Sequence, residues 1–250
     1  AWEHLSERIP IERLERGGFE ITTSLDYELQ QQVSCATQAH LARLQAQAGW
    51  GVNLEGLQDC PSAQLLTTLT LDDADFLVDL GLEVVVLDPH SGEILAVAAA
   101  DPPEAANRTL SRHPAGTLAT PFVYLTAFTR GFSPASLVWD IPLALASYPG
   151  NQAGDAYQGP VRLRSALAND YISPAIQVVN QIGIETVLQT TRQMGLDFFD
   201  PGQASGDAND CPGCRLVLVG GQISLVEAAQ AYSIFSNRGN LVGQPSNNGE

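Results

Sequence analysis

The sequence predicts a mixed α/β domain of the α+β kind, an antiparallel sheet packed with helices. Three observations lead to that class. Residues 83–87 and 93–99 are apolar, β-rich runs joined by Asp88-Pro89-His90-Ser91-Gly92, which reads as an antiparallel hairpin with Gly92 at a positive φ. Residues 25–48 place Leu29, Val33, Ala36, His40 and Leu44 near helical spacing, the mark of a helix with one apolar face. Ser224-Leu225-Val226-Glu227 is a capping box, opening a helix that closes near Gly239.

The remaining elements follow in order. Residues 1–20 are charged, lack periodicity and end at Gly17-Gly18, and 20–23 read as a short strand before the first long helix. That helix takes Ser24 or Asp26 as its cap and Gly49 as its stop. Within 51–79 the pattern is ambiguous: 65–71 reads as a strand broken by Asp72-Asp73. After the hairpin, 101–116 form a loop leading to a helix with Pro121 in its first turn, running to about Arg130 and closed by Gly131. Residues 133–160 read as an irregular connection rich in Pro and Gly. Two consecutive helices are expected at 162–182 and 184–194, the second stopped by Gly195, then a polar, Gly-rich loop at 200–213. No internal repeat is present.

Composition narrows the function classes. The 250 residues are 44% apolar and 16% charged, which suits one sizeable domain with an ample core. A formal charge of −16 repels nucleic acid, so a nucleic-acid-binding role is not expected. All cationic side chains counted as Lys+Arg are arginines; acidity and lysine depletion are read first as a habit of the source organism. No apolar run is long enough to span a bilayer. The chain opens AWEHLSERIP, without signal peptide or initiator Met, and reads as a piece of a longer protein, so any membrane anchor belongs to a segment absent here.

Four cysteines, Cys35, Cys60, Cys211 and Cys214, allow three full pairings. Cys211-Pro-Gly-Cys214 is compatible with a redox pair, half a zinc site or a small disulfide loop. No thioredoxin-like strand and helix surround it, and a four-Cys zinc site would need Cys35 and Cys60 to converge on it. No metal or cofactor is expected.

Several segments, in order, resemble the class A penicillin-binding proteins, bifunctional enzymes that polymerise and cross-link peptidoglycan. ITTSLDYELQ at 21–30 is similar to that family's T-T-L-D-x-x-L-Q, with Ser24 as one extra residue. VVVLDPHSGEILAV at 84–97 resembles its first hairpin, and GPVRLRSALA at 159–168 its G-P-V-T-L-R-x-A-L-A run. VGGQISLVE at 219–227 and AYSIFSNRG at 231–239 resemble a later helix start and its A-Y-x-x-F-A-N-x-G end. The resemblance implies a penicillin-binding-protein and serine β-lactamase-like transpeptidase fold. Residues 76–250 would be the N-terminal two-thirds of it. Residues 1–75 would be a linker or pedestal after an absent glycosyltransferase module of the family 51 type. It also implies an extracytoplasmic location at the cell envelope, membrane anchoring through the parent, and partners among peptidoglycan and cell-wall synthesis proteins. For such a location the favoured disulfides are Cys35–Cys60 and Cys211–Cys214.

The same resemblance locates a site whose chemistry has been replaced. RHPAGTLATPFVY at 112–124 lies where the family has G-S-x-x-K-P-F-x-Y, its Ser the acylated nucleophile and its Lys the base or proton shuttle. Thr117 stands for the Ser and Thr120 for the Lys. The family's S-x-N falls on Asp170 and Ile172, and its K-T-G, carried on a strand in the sheet, would lie beyond Glu250. A neutral hydroxyl accepts no proton at pH 7, and arginine is a poor proton acceptor. The implied reading is a degenerate domain with no intact catalytic set, retaining a binding or scaffolding role. Its rival is an active D,D-transpeptidase or acyl transferase using Thr117 with His113 or Asp170 as base, against which stands Thr117 as an ordinary helix-terminal residue. A module held by metal at its cysteines is a third reading. Trp2, Trp50 and Trp139 are candidates for a glycan groove or simply for packing. Gly220-Gly221 lacks the Lys and spacing of a phosphate loop.

Overall fold

Two apolar β-runs separated by a five-residue turn have one low-cost solution, the antiparallel pair, and the chain adopts it. The computed structural model describes residues 9–47, 60–67, 81–100, 112–142, 157–194, 212–218, 220–240 and 242. Strand β1 (Leu82–Leu87) pairs with β2 (Ile94–Ala100), Val85 opposite Val97. Asp88 organises the turn: its N–H donates to Glu93 O, its carbonyl accepts from Gly92 N–H, and its Oδ1 accepts from His90 N–H. The backbone N–H of His90, helped by the Ser91 hydroxyl, holds the Asp88 carboxyl below its ordinary range. Gly92 sits at φ 76°.

Helix α1 (Ile11–Glu15) precedes the long α2 (Tyr27–Gln47). The strand expected at 20–23 is absent, because side chains take over the task of a third strand. Ser24 Oγ donates to Ile94 O at 2.8 Å and Asp26 N–H to Leu95 O at 2.9 Å. The Gln30 amide donates to Val97 O at 2.7 Å and accepts from Val97 N–H at 2.9 Å. A primary amide carries one acceptor and two donors, so it can pair with an exposed strand edge as backbone does. With Ser24 so engaged, Asp26 is the cap, its Oδ1 accepting from Leu29 N–H at 2.9 Å. Thr37, Ala39, Leu41 and Ala42 are the buried residues of α2.

Cys35 on α2 is disulfide-bonded to Cys60, with Cα atoms 6.0 Å apart. The expected strand at 65–71 is not formed where it is described: Pro61–Leu65 is a 3-10 turn and Leu66 and Thr67 lie outside any strand. Pro61 opens that turn, where its missing N–H costs nothing. Arg43 ties the turn to α2 by donating to Ala63 O at 2.8 Å.

Beyond the hairpin the chain builds the main core. Helix α3 (Thr120–Thr129) follows a 3-10 turn at Gly116–Ala119. The connection expected to be irregular holds two short strands, β4 (Leu137–Asp140) and β5 (Gly159–Arg162), paired antiparallel with Trp139 opposite Pro160. Four-residue strands, one containing a proline, leave no alternation long enough to read. The single helix expected at 162–182 is two, α4 (Leu163–Ala168) and α5 (Ile172–Ile182), broken where Asp170 takes φ 50°. Aspartate visits that left-handed region more readily than most residues, and the break was hidden by the apolar residues on both sides of it.

Helix α6 (Ile184–Gln193) follows Gly183, at φ 83°. Helix α7 (Pro212–Leu218), which the sequence did not announce, carries Cys214. The two-residue strand β3 (His113–Pro114) pairs with β6 (Gln222–Ile223), and α8 (Leu225–Ser236) closes the described core. Phe122, Tyr124, Leu163, Ile176, Leu188 and Leu216 are fully buried. Cys211, Gly195, Trp2 and Trp50 lie outside the described residues, as do most of the loops expected at 101–116 and 200–213.

The capping box forms as read. Ser224 N–H donates to Glu227 Oε2 at 2.8 Å and Glu227 N–H to Ser224 Oγ at 3.2 Å. The other carboxylate oxygen takes Arg112 Nη2 at 2.6 Å, and Arg112 Nη1 reaches Gln222 O at 3.1 Å. Glu227→Ala removes the side-chain half of the capping box and the ion pair together, leaving the bond from the residue 227 N–H to Ser224 Oγ, and is expected to lower unfolding stability by about 1 kcal/mol. Arg112→Ala, at a half-exposed side chain, is expected to cost less; denaturant titration of both variants checks the order.

Candidate active site

The site is built on a close approach of two backbones. Gly116 turns at φ 56° into the 3-10 segment, and Gly220 at φ 70° lies directly against it. A Cβ on Gly220 would stand 2.5 Å from Gly116 O and 2.8 Å from Ala115 Cβ. Ala115 N–H donates to Gly221 O at 3.0 Å. The glycine pair that failed as a phosphate loop is therefore the seat for the turn bearing Thr117.

Thr117 is half-buried on that turn, and its hydroxyl makes no hydrogen bond to a described residue. Thr120, the first residue of α3, is 1% exposed, and its Oγ1 has no hydrogen-bond partner among the described residues. One helical turn on, Tyr124 is 0% exposed and its hydroxyl is likewise unpartnered among the described residues. Asp170 is exposed at the break between α4 and α5. Ile172 opens α5 and packs against the main core, so its place is structural.

Two tyrosines that sequence reasoning passed over lie within reach of Asp170's charge. Burial first, then the charges of Asp170 and Asp140, hold the Tyr124 phenol well above its ordinary range. Burial and Asp170 do the same to Tyr232. Both phenols keep their protons at neutral pH, so neither is a base. Tyr232 donates to Leu118 O at 2.8 Å, inside the Thr117 turn. Thus Tyr232 on α8 is tied to the turn at 116–119, and Tyr124 lies one turn along α3 from Thr120. The positional signals were the Tyr four residues after Thr120 and the Tyr inside the AYSIFSNRG run.

The other candidates lie elsewhere. His113, on β3, lines a cleft of about 360 Å3 with Glu83, Leu118, Ile223 and Ala228, and Thr117 does not line it. Trp139 is 56% exposed on β4, so it is not core. Cys35 and Cys60 pair with each other and Cys214 is also disulfide-bonded, which leaves those sulfurs no thiolate with which to ligate zinc. Among the described residues no group of three His, Cys, Asp or Glu side chains converges as a metal site.

The sequence model of the penicillin binding protein transpeptidase domain matches residues 83–246. The chain belongs to that family. Among curated proteins, penicillin-binding protein 1C of Escherichia coli is 30% identical over 125 residues, covering 50% of this chain and 16% of that protein. Penicillin-binding protein 1A of Vibrio cholerae is 27% identical over 142 residues, with 54% and 16% covered. The chain therefore spans a small part of the length of the curated relatives it matches.

Solved structures agree on the fold. Penicillin-binding protein 1A from Haemophilus influenzae superposes with a TM-score of 0.50 at 26% identity, over 62% of this chain and 23% of that one. PonA1 from Mycobacterium tuberculosis gives 0.61 at 20% identity over 94% and 54%, a likeness of fold alone. The chain is thus a penicillin-binding-protein transpeptidase domain, similar to penicillin-binding proteins 1C and 1A. Thr117 and Thr120 lie inside the matched span, at the start of a penicillin-binding-protein helix. No described helix is long and apolar enough to cross a membrane.

Proposed function

We propose that this transpeptidase domain does not form an acyl-enzyme and acts instead in binding or scaffolding during cell-wall assembly outside the membrane. One observation carries the reading: Thr120, beside the position a nucleophile would take, is a buried neutral hydroxyl. A nucleophilic hydroxyl needs an adjacent base to take its proton, or a strongly lowered pKa. Thr117 has no hydrogen-bonded base among the described residues, and the chain contains no lysine to supply one. His113 faces a cleft that Thr117 does not line. In serine hydrolases, loss of the nucleophile or base alone lowers turnover on the order of a millionfold.

The partners consistent with this role are peptidoglycan or other cell-wall synthesis proteins. Residues 1–75 would serve as the pedestal that joins the domain to a preceding glycosyltransferase module in the parent, itself anchored at the envelope. Incubation with a fluorescent β-lactam, followed by intact mass, tests the central claim. Unmodified mass after hours at millimolar drug is the expected result; an adduct mapped to Thr117 would establish the rival acyl transferase.

A further inference from the structure

The ribbon of β4 and β5 turns one face inward and leaves the other in water, and on β4 the wet face is apolar. Val138 and Asp140 are 3% and 6% exposed, whereas Leu137 is 69% exposed, Trp139 56% and Ile141, just past the strand, 42%. Alternate residues of a strand share a face, so these side chains line a strip roughly 14 Å long. The register sets exposed Arg162 opposite Leu137 and exposed Pro160 opposite Trp139, and exposed Arg164 follows just past β5. Neither guanidinium has a hydrogen-bonded or ionic partner among the described residues.

The surroundings narrow what fits that strip. A specific protein interface engages roughly 20–30 residues a side, many more than these few side chains. Addition of a peptide strand is opposed at both edges of the ribbon. On the β4 edge, Trp139 O already accepts from Gln177 Nε2 at 2.7 Å and Ile141 O from Ser173 Oγ at 2.6 Å, both on α5. With Trp139 O directed away from β5, its partner Pro160 faces outward on the other edge and has no N–H to extend a ladder. Charge excludes two further classes: the net −16 of the chain repels polyanions, and the arginines repel a cation. A narrow, neutral guest remains. A guanidinium only donates, so that guest carries oxygen acceptors along its rim. The face of an indole is electron-rich and favours polarised C–H groups, so the guest also presents a C–H face. Linked pyranose rings have both, axial hydrogens on the face and hydroxyl, ether and acetamido oxygens on the rim.

We infer that the outward face of the β4–β5 ribbon binds a neutral glycan chain. One ring stacks on the Trp139 indole, Leu137 and Ile141 shield its neighbours from water, and Arg162 donates to the rim oxygens. No residue of this face belongs to the turn bearing Thr117, and the inference goes beyond the proposed function. An adduct on Thr117 would overturn that function and leave this binding untouched.

The test titrates the chain in a calorimeter with the soluble β-1,4-linked tetramer of N-acetylglucosamine, which is neutral and linear. Saturable heat is expected, together with a blue shift of tryptophan emission as the indole leaves water. Trp139→Ala and Arg162→Ala are each expected to raise the dissociation constant on the order of tenfold. Both side chains are exposed, so the variants should fold as the unaltered chain does, which circular dichroism checks. No heat from the unaltered chain with millimolar tetramer overturns the inference, as does binding that both variants retain. Binding of phosphatidylglycerol vesicles in place of the tetramer, lost in the same variants, would give the face to a lipid surface and overturns it as well.

Discussion

Gly220→Ala is expected to destabilise the domain by about 2–5 kcal/mol, the sum of a left-handed backbone forced on alanine and a methyl driven into a packed interface. The new Cβ would stand 2.5 Å from Gly116 O and 2.9 Å from Gly116 N. Both atoms are backbone, so no side chain can swing away. Relief would require the 3-10 turn to lift off, taking Thr117 and the start of α3 with it. Gly131→Ala separates the two effects. Gly131 has φ 96° but nothing within 4 Å of its Cβ position, so it carries the conformational cost of about 1–2 kcal/mol alone. Denaturant midpoints for the pair measure the difference; equal losses would mean that the approach of residues 115–116 and 220–221 is slack.

Phe122→Ala carries a comparable expected loss, about 3–5 kcal/mol. Phe122 is 0% exposed and holds two rings of α8, Tyr232 at 5.4 Å edge-on and Phe235 at 5.4 Å tilted. Tyr232 and Phe235 meet each other at 5.7 Å. Removing the central ring leaves a cavity between α3 and α8 and frees Tyr232, whose hydroxyl anchors Leu118 O. The consequence reaches the site: the turn bearing Thr117 loses a tether as well as a packing partner. Phe235→Ala, at a ring 46% exposed, should cost far less, because little of its surface leaves water on folding. Thermal or denaturant unfolding checks the ranking, and loss of near-ultraviolet circular dichroism reports the freed tyrosine.

Both results bear on what this family member retains. The frame around Thr117 is held by glycine contact, aromatic packing and the Tyr232 hydroxyl.

What the sequence by itself determined was local. Two apolar, β-rich runs around a Gly-closed turn specify β1 and β2, because so short a connection leaves the antiparallel pair as the way to satisfy both backbones. Ser224 and Glu227 specify the start of α8 because their side chains satisfy each other's backbone donors three residues apart. The order of the family's motifs led only to the expectation that Thr117, Thr120 and Asp170 share a neighbourhood. Tertiary structure alone decided the rest. Gln30 closes the edge of β2 across 67 residues of chain, so no window around residues 20–23 could show that a strand there is unnecessary. The left-handed Asp170 splits a run of helix formers at φ 50°, between α4 and α5, and the apolar residues on both sides of it hide the break from any periodicity. The two hydroxyls of α3 left unpartnered among the described residues are likewise invisible in sequence. Whether a buried hydroxyl finds a partner depends on which distant carbonyls and carboxylates the fold brings within about 3 Å, and a linear pattern holds no such distance.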